Sequence, residues 1–259
     1  MKIYHEAPLR AFDLVQQYTD GDYALVHLLK NPTYKRAFKL AKLNDREIIL
    51  DNSVFELGQA YDDNLFAAEV ERMEPTWYIV PDVLSDMDGT LERFRKFVNK
   101  HPELPGGRVG VVQGSSNAQL LKCYEQLEPH CDMIAFSFDY VHWGLAIPQH
   151  ESKWHAYMEG RREFLNNYQG FFNKDKPHHL LGCALPQEFV AYPRNWDWLY
   201  SVDTSNPVVH GMLGIAYSPE GLYSKSTIKL AEMIDSDVNA IQCSRILHNI
   251  DMFRRFCNG

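Results

Sequence analysis

Carboxylate and amide side chains recur in this sequence directly after short apolar runs. Four such positions are Asp51, Asp82, Gln113 and Asp203. Carboxylate oxygens accept hydrogen bonds from the N–H groups of a planar heterocycle, and an amide N–H can donate to its carbonyl oxygen. A pocket built from these groups would suit a guanine-like base and would suit an anionic substrate poorly. The pattern therefore predicts a base-binding site, provided that the fold brings the four side chains together.

The apolar runs predict buried parallel strands, because each is short, rich in β-branched or aromatic residues and followed by turn residues. The seven runs are Ala24–Leu29, Glu47–Leu50, Trp77–Val80, Arg108–Val112, Met133–Phe136, His179–Cys183 and Trp198–Val202. An eighth strand could be Leu213–Tyr217 or Val238–Gln242. Segments with helical spacing separate the runs, which indicates an α/β protein with a parallel sheet.

Eight strand–helix units would close a single-domain (β/α)8 barrel of the TIM type over residues 1–259, whereas six or seven would leave an open doubly wound sheet. We expect the barrel, because no glycine-rich turn of the dinucleotide-binding kind follows the first strand. In such barrels the carboxyl ends of the strands carry the active site. The candidate residues all lie at such ends, so they should share one opening.

Local patterns add four expectations. Leu91, Phe94 and Phe97 have helical spacing after the acidic turn Ser85–Asp88, and Ser218 followed by Pro219 and Glu220 predicts the start of another helix. The segment Tyr140–His155 is rich in Trp, His and Pro and is predicted to be a long loop over the barrel mouth. Trp143, Trp154, Trp196 and Trp198 could stack on extruded bases, although ordinary core packing is the more common role of such residues.

The residues at the predicted strand ends form five motifs. They are Asp51-Asn52-Ser53-Val54-Phe55, Pro81-Asp82-Val83, Val112-Gln113-Gly114, Ser137-Phe138-Asp139 and Val202-Asp203-Thr204. An alternative role for Asp51, Asp82 and Asp203 is to cap the helices that follow their strands, which is common for aspartate in such loops. Three aspartates together with Gln113 favour a functional site over capping.

The motifs that contain Asp51, Asp82, Gln113 and Asp203 resemble, in order and spacing, those of the tRNA-guanine transglycosylases. The resemblance spans about residues 20–215 and is greatest to the phage and bacterial relatives that insert 7-deazaguanine bases into DNA. It implies a (β/α) barrel in which Asp203 is the nucleophile at the anomeric carbon of the sugar and Asp51 contacts the base and assists proton transfer. It also implies that Asp82 and Gln113 read the base and that Phe55 packs on it. The remaining predicted substrate-binding residues are Asn52, Ser53, Gly114, Ser137 and Asp139.

The sequence departs from the tRNA enzymes in three places. The CxCxxC cluster with a later His that binds structural zinc in those enzymes is absent from the sequence, so no metal and no cofactor is expected. Phe136-Ser137-Phe138-Asp139 stands in place of their glycine-rich segment, and Thr204-Ser205-Asn206-Pro207 follows the predicted nucleophile. These differences favour DNA over tRNA as the substrate and leave the identity of the base open.

Composition limits the partners. The 259 residues carry a formal net charge of −8, so a nucleic-acid enzyme would need a local basic face. The candidates are Lys30, Lys35, Arg36, Lys39 and Lys42, then Arg161 with Arg162, Lys225 with Lys229, and Arg245 with Arg254 and Arg255. Five scattered cysteines and the absence of a signal peptide or membrane-spanning run predict a cytoplasmic protein with reduced thiols and no membrane partner.

The leading hypothesis is an enzyme that extrudes a DNA base and exchanges it for a free nucleobase through a glycosyl-enzyme. If water replaces the incoming base, the same chain would be a DNA glycosylase that leaves an abasic site. A non-catalytic barrel that serves as a binding subunit and a metal-dependent barrel hydrolase that uses His27 stay open as alternatives. Cys183 as a nucleophile is less favoured than Cys183 as a buried packing residue.

Overall fold

The computed structural model describes residues 1–146 and 152–259. Its eight strands are β1 Lys2–Tyr4, β2 Asp22–Leu25, β3 Ile48–Asp51, β4 Trp77–Ile79, β5 Gly107–Val112, β6 Met133–Ser137, β7 His178–Leu181 and β8 Leu199–Asp203. They form one sheet in the order β1-β8-β7-β6-β5-β4-β3-β2, in which β1 pairs with β8 and each of β2 to β5 pairs in parallel with the next strand. This is the strand order of a (β/α)8 barrel, as predicted.

Two predictions about strands were wrong. The eighth strand is β1, near the start of the chain, and neither Leu213–Tyr217 nor Val238–Gln242 is a strand. The first of these segments follows a helix through Gly214 at φ +80° and forms turns, and most of the second begins a long helix. The predicted strand Ala24–Leu29 is β2 only as far as Leu25, after which Val26–Lys30 forms a 3-10 helix. The other predicted strands are confirmed to within two residues at each end.

The chain divides into two compact units, which we describe separately. The first unit contains residues 1–20, 137–175 and 180–259, and the second contains residues 21–136 and 176–179. The second unit therefore contains β2 to β5 and most of β6. The first unit contains β1 and β8, and β7 contributes residues to each.

The longer helices of the second unit are amphipathic and begin at side-chain caps, whereas no side chain caps the shortest one. The helices are α2 Pro32–Leu43, α3 Val54–Leu57, α4 Asp63–Met73, α5 Met87–Lys100 and α6 Asn117–Leu127, with 3-10 turns at Val26–Lys30 and Glu128–His130. Helix α5 confirms the predicted helix, since Leu91, Phe94 and Phe97 are buried. Its first turn is capped by Asp86, whose carboxylate accepts a hydrogen bond from the backbone N–H of Gly89 at 3.0 Å.

The first unit has both short and long helices. They are α1 Phe12–Gln16, α7 Val141–Ala146, α8 Lys153–Tyr168, α9 Asn206–Met212 and α10 Ala240–Asn258, with 3-10 turns at Pro186–Ala191 and Leu230–Met233. The helix predicted at Ser218 is wrong, because Ser218 pairs with Gly221 in a tight turn. The predicted loop Tyr140–His155 is largely helical, and residues 147–151 of it lie outside the described residues.

Apolar residues of α1, of the segment before α1, and of α9 and α10 pack together in the first unit. This cluster contains Ala7, Ala11, Val15, Val208, Met212, Ile246 and Ile250. Trp143, Trp196 and Trp198 are also buried, which confirms packing as their role, whereas Trp154 is half-buried. In the part of the chain that the structure describes, no helix has the length and apolarity needed to span a membrane.

Candidate functional site

Asp51, Asn52 and Ser53 form a tight turn where β3 ends in the second unit. The Asp51 carboxylate accepts a hydrogen bond from the backbone N–H of Ser53 at 3.0 Å, and the Asn52 side-chain oxygen accepts one from Val54 at 2.9 Å. Ser53 has φ 61°, in the left-handed region that side-chain-bearing residues rarely adopt. Its hydroxyl lies 2.8 Å from Nδ1 of His27. His27, which we considered as a metal ligand, thus contributes to the anchoring of this turn.

Asp82 lies at the centre of a buried amide and carboxylate cluster in the same unit. Its Oδ1 accepts a hydrogen bond from Asn52 Nδ2 at 2.8 Å, and its Oδ2 accepts one from Gln113 Nε2 at 2.7 Å. The Gln113 oxygen accepts a hydrogen bond from the backbone N–H of Ser85 at 2.9 Å. Burial raises the pKa of Asp82, and the two side-chain hydrogen bonds oppose that shift. The structure thus brings Asn52, Asp82 and Gln113 together and fixes both predicted base-reading side chains through protein partners.

Phe55 and Gly114 occupy different environments in the second unit. The Phe55 side chain, on α3, is 44% exposed. Gly114 follows β5, and a Cβ placed there would lie 2.8 Å from Cβ of Gln119. Close packing against α6 is therefore a sufficient reason for glycine at this position.

The capping role considered for the aspartates is not what the structure shows for Asp82. Helix α5, which follows it, is capped by Asp86. After β8, the N-cap position of α9 is Ser205, and the hydroxyl of Thr204 accepts a hydrogen bond from the backbone N–H of Asn206 at 3.0 Å. Asp82 and Asp203 thus do not cap the helices that follow their strands, which favours the functional interpretation of these two residues.

Asp203 ends β8 in the first unit and is 5% exposed. Its Oδ1 accepts a hydrogen bond from the backbone N–H of Gly182 at 2.9 Å. Gly182 has φ +64°, and a Cβ there would lie 2.5 Å from Cδ1 of Phe138, so both the backbone and the contact require glycine. The predicted nucleophile is thus oriented by a backbone donor that only glycine can place there.

Ser137 and Asp139, both predicted to bind substrate, contact each other in the first unit. The Ser137 hydroxyl donates a hydrogen bond to Oδ1 of Asp139 at 2.6 Å, and the Ser137 backbone N–H donates to the hydroxyl of Tyr140 at 3.2 Å. These contacts fix the end of β6 and the segment that follows it. Phe138 lies between the two residues in sequence and packs on Gly182.

Lys225 occupies a position that sequence reasoning missed. We considered it as part of a solvent-exposed basic face, but it is half-buried, and its Nζ lies 3.8 Å from the centre of the Phe138 ring. Burial lowers the pKa of Lys225, and the negative charges of Asp139, Asp203 and Glu6 act in the opposite direction. No sequence signal distinguished this lysine from surface lysines, because its position depends on a long irregular segment after α9.

A buried ion pair supports the backbone that contacts Asp203. The guanidinium of Arg161 on α8 binds Glu188 through two hydrogen bonds, Nε to Oε1 at 2.7 Å and Nη2 to Oε2 at 3.0 Å. It also donates to the carbonyl oxygens of Leu181 and Gly182, at 3.0 Å each. The hydroxyl of Tyr192 donates to Glu188 as well. Arg161 was a candidate for the basic face, and that prediction is wrong because its side chain is fully buried.

The described residues give little support to a metal site or to a cysteine nucleophile. Within residues 1–146 and 152–259, no group of three or more His, Cys, Asp or Glu residues is arranged to hold a metal ion. All five cysteines are free, and only Cys243 is not fully buried. Burial raises the pKa of the Cys183 thiol strongly, which agrees with the packing role and disfavours Cys183 as a nucleophile.

The basic segment of the second unit is partly neutralised. Lys35 pairs with Glu69 at 2.7 Å, and Lys42 pairs with Glu74. The three other basic residues of the segment are exposed, and none forms an ion pair within the described part of the chain; they are Lys30, Arg36 and Lys39. In the first unit, Arg254 and Arg255 pair with Asp20 and Asp251.

No model of a known protein family matches the chain, and no curated protein matches it either. The resemblance to the tRNA-guanine transglycosylases thus rests on the order and spacing of the strand-end motifs and stays a prediction. The geometry adds two local sites at strand ends, the hydrogen-bonded cluster around Asp82 in the second unit and the surroundings of Asp203 in the first.

Proposed function

We propose that the chain is an enzyme that cleaves the N-glycosidic bond of a nucleotide in DNA, with Asp203 as nucleophile, and exchanges the released base for a free 7-deazaguanine-type base. The observation that carries the proposal is the environment of Asp203: a carboxylate at the carboxyl end of a parallel strand, almost fully buried and held by the backbone N–H of Gly182. Residues at this end of the strands perform the chemistry in (β/α) barrels.

The chemistry fits a carboxylate in this setting. The bond between C1′ and the base nitrogen breaks, its electron pair leaves with the base, and positive charge develops on the sugar. An Asp203 oxygen stabilises that charge and forms a bond to C1′, which gives a covalent glycosyl-enzyme. In the second step a ring nitrogen of the incoming base attacks C1′, the bond to Asp203 breaks, and the proton lost from that nitrogen balances the proton that the departed base takes up. The carboxylate is regenerated, so no cofactor is consumed.

A fixed carboxylate has an advantage in this reaction. A mobile side chain would have to lose rotational freedom as the sugar approaches, whereas Asp203 is already held by a hydrogen bond and by its burial. The Gly182 contact reaches Oδ1 through a backbone N–H, which orients the carboxylate. The arrangement therefore favours nucleophilic attack over a purely structural role.

The resemblance to the tRNA-guanine transglycosylases supports the choice of base, and the absence of the zinc-binding motif from the sequence supports DNA over tRNA. The exposed Lys30, Arg36 and Lys39 supply local positive charge that a chain of net charge −8 needs for phosphate contacts. The roles implied for Asp51, Asp82 and Gln113 in base recognition are further predictions of the same resemblance. A glycosylase that transfers the sugar to water shares the first step and is the second candidate.

The test incubates the purified chain with DNA containing guanine, with and without a free 7-deazaguanine base. Incorporation of the free base would support exchange, and alkali-labile abasic sites without incorporation would support hydrolysis. Asp203→Asn should reduce either product by at least about 10³-fold, because the amide cannot form a stable bond to C1′. Asp197→Asn is the matched control, since Asp197 is an exposed aspartate of the same unit.

Two outcomes would contradict the proposal. One is full activity of Asp203→Asn, which would remove the nucleophile. The other is the absence of both products from the unsubstituted chain on single-stranded and on double-stranded DNA. Denaturing electrophoresis of the protein after a quench would also show the DNA-linked form if the glycosyl-enzyme accumulates.

A further inference from the structure

We propose that Lys225 is the general acid of this reaction, delivering a proton from its ammonium group to the departing base. The inference rests on the proposed function and extends it by assigning a catalytic role that the family resemblance does not imply. It starts from three contacts in the first unit: Lys225 lies over the Phe138 ring, Phe138 packs on Gly182, and Gly182 donates a hydrogen bond to Asp203.

The ammonium of Lys225 is held without using its hydrogen-bond donors. Its Nζ lies 3.8 Å from the ring centre of Phe138 and 6.0 Å from that of Trp154. Among the described residues it forms no ion pair and no hydrogen bond. A cation over an aromatic ring is attracted to the negative face of the ring. The three N–H groups therefore keep the capacity to donate to a ligand.

The segment that carries Lys225 is anchored. Ser218 and Gly221 close a tight turn, and Gln187 forms two hydrogen bonds with the backbone of Leu222, at 2.7 and 3.1 Å. A Cβ on Gly221 would lie 2.1 Å from the Gln187 side-chain oxygen, and its φ of +101° also favours glycine. Lys225 follows three residues after Leu222, so its position is constrained by the fold.

The charges around Lys225 argue against a phosphate-binding role. Asp139, Asp203 and Glu6 all act on its ammonium, so the surroundings contain three carboxylates for one cation. A phosphate would meet net negative charge there. A neutral heterocycle that becomes anionic as it leaves has no such penalty in the ground state, and a nearby ammonium stabilises the charge that develops.

The proposed step balances. As an Asp203 oxygen forms its bond to C1′, the electron pair of the glycosidic bond moves to the base, and a proton passes from Lys225 Nζ to a ring nitrogen of that base. Lys225 is left as a neutral amine. It regains the proton from the N–H of the incoming base when that base attacks C1′, or from water in hydrolysis. Burial lowers the pKa of this ammonium, which makes it a stronger acid.

The test compares two leaving groups in single-turnover base release, with 7-deazaguanine present. Guanine needs a proton to depart as a neutral base, whereas N7-methylguanine carries a positive charge and departs neutral without one. Lys225→Met should slow the release of guanine by about 10²–10⁴-fold and the release of N7-methylguanine by less than about 10-fold. Lys225→Arg keeps the cation but cannot give up its proton, so it should behave like Lys225→Met.

Lys153→Met is the matched control, because Lys153 also lies over an aromatic ring, at 4.5 Å from the centre of Trp154, but is exposed. It should leave both rates unchanged. Equal slowing of both leaving groups by Lys225→Met, or slowing of neither, would overturn the proposal, as would a guanine rate for Lys225→Arg equal to that of the unsubstituted chain.

A failure of the proposed glycosidic-bond cleavage by Asp203 would give a different set of results. Asp203→Asn should abolish the release of both bases, and if it does not, the nucleophile assignment fails whatever Lys225 does. No release of either base by the unsubstituted chain would overturn both proposals. Asp51→Asn provides a comparison. If Asp51→Asn slows the release of guanine but not of N7-methylguanine, and Lys225→Met slows neither, the proton comes from Asp51 instead.

Discussion

Removal of the Arg161 guanidinium should destabilise the first unit strongly. Arg161 and Glu188 are both 0% exposed in their side chains, and their two hydrogen bonds join two fully desolvated charges. In Arg161→Met the Glu188 carboxylate stays buried without its cation. The carbonyl oxygens of Leu181 and Gly182 also lose the donors that now bind them at 3.0 Å.

The magnitude follows from the burial. Loss of one partner of a buried ion pair costs about 3–5 kcal/mol, because the remaining charge is left uncompensated. For a chain of this size, about 1 kcal/mol corresponds to about 2–4 °C in the unfolding midpoint. We therefore expect Arg161→Met to lower the midpoint by about 6–20 °C. Replacement of both residues, as in Arg161→Met with Glu188→Leu, should recover part of the loss, since no buried charge remains, although the carbonyls of Leu181 and Gly182 and the hydroxyl of Tyr192 still lose their partners.

Thermal and urea unfolding, followed by circular dichroism, would measure the single variants and the double variant as a cycle. Arg162→Met is the matched control, because Arg162 pairs with Glu159 next to the buried pair but is partly exposed. It should cost less than about 1 kcal/mol. A loss below about 1 kcal/mol for Arg161→Met, or a double variant less stable than Arg161→Met, would refute the reasoning.

Three further predictions concern single positions. Burial lowers the pKa of His5 and of His178 to about 4 from 6.5, so between these pH values the unfolded chain binds protons that the folded chain does not. The free energy of unfolding should therefore be highest above pH 6.5 and fall by up to about 3 kcal/mol per histidine as the pH drops to 4. Urea titrations of His178→Gln should show a smaller fall. The free energy of unfolding of Ser53→Gly should exceed that of Ser53→Ala by about 1 kcal/mol, because both variants lack the hydroxyl and glycine adopts φ 61° at a lower cost than alanine. Equal midpoints of the two variants in urea would contradict this. Gly182→Ala should reduce base release by about 10²-fold with the fold retained, because its Cβ would displace Phe138 and shift the donor to Asp203, and an unchanged rate would show that the contact is unimportant.

The parallel-sheet α/β class and strands β3 to β8 could be predicted from the sequence, because buried parallel strands leave apolar runs with polar residues at their ends. The runs that became β3 to β8 are long enough to be recognised. Strand β1, Lys2–Tyr4, begins with a charged residue and is followed by His5 and Glu6, so no apolar run marks it in the sequence. Leu213–Tyr217 looked more like a strand, but Gly214 and a hydrogen bond from Ile215 to His210 turn the chain there.

The candidate site could be predicted only in part. The hydrogen-bonded group around Asp82 was found because strand ends that follow one another in the sheet order place their next residues close together. The role of Gly182 was not visible, because its positive φ and its contact with Phe138 depend on tertiary packing. Arg161 and Lys225 were assigned to basic surfaces because sequence reasoning treats charged residues as solvated unless a partner is known.

The distribution of thiols has a practical consequence. Burial raises the pKa of Cys123 and of Cys131 to about 12, and Cys183 and Cys257 are also enclosed, so all four should resist maleimides at neutral pH. Cys243, on the first turn of α10, is the most accessible of the five. A fluorophore or spin label can therefore be attached there without altering any residue, and a fluorophore at that position would test optically whether the chain binds DNA, as proposed.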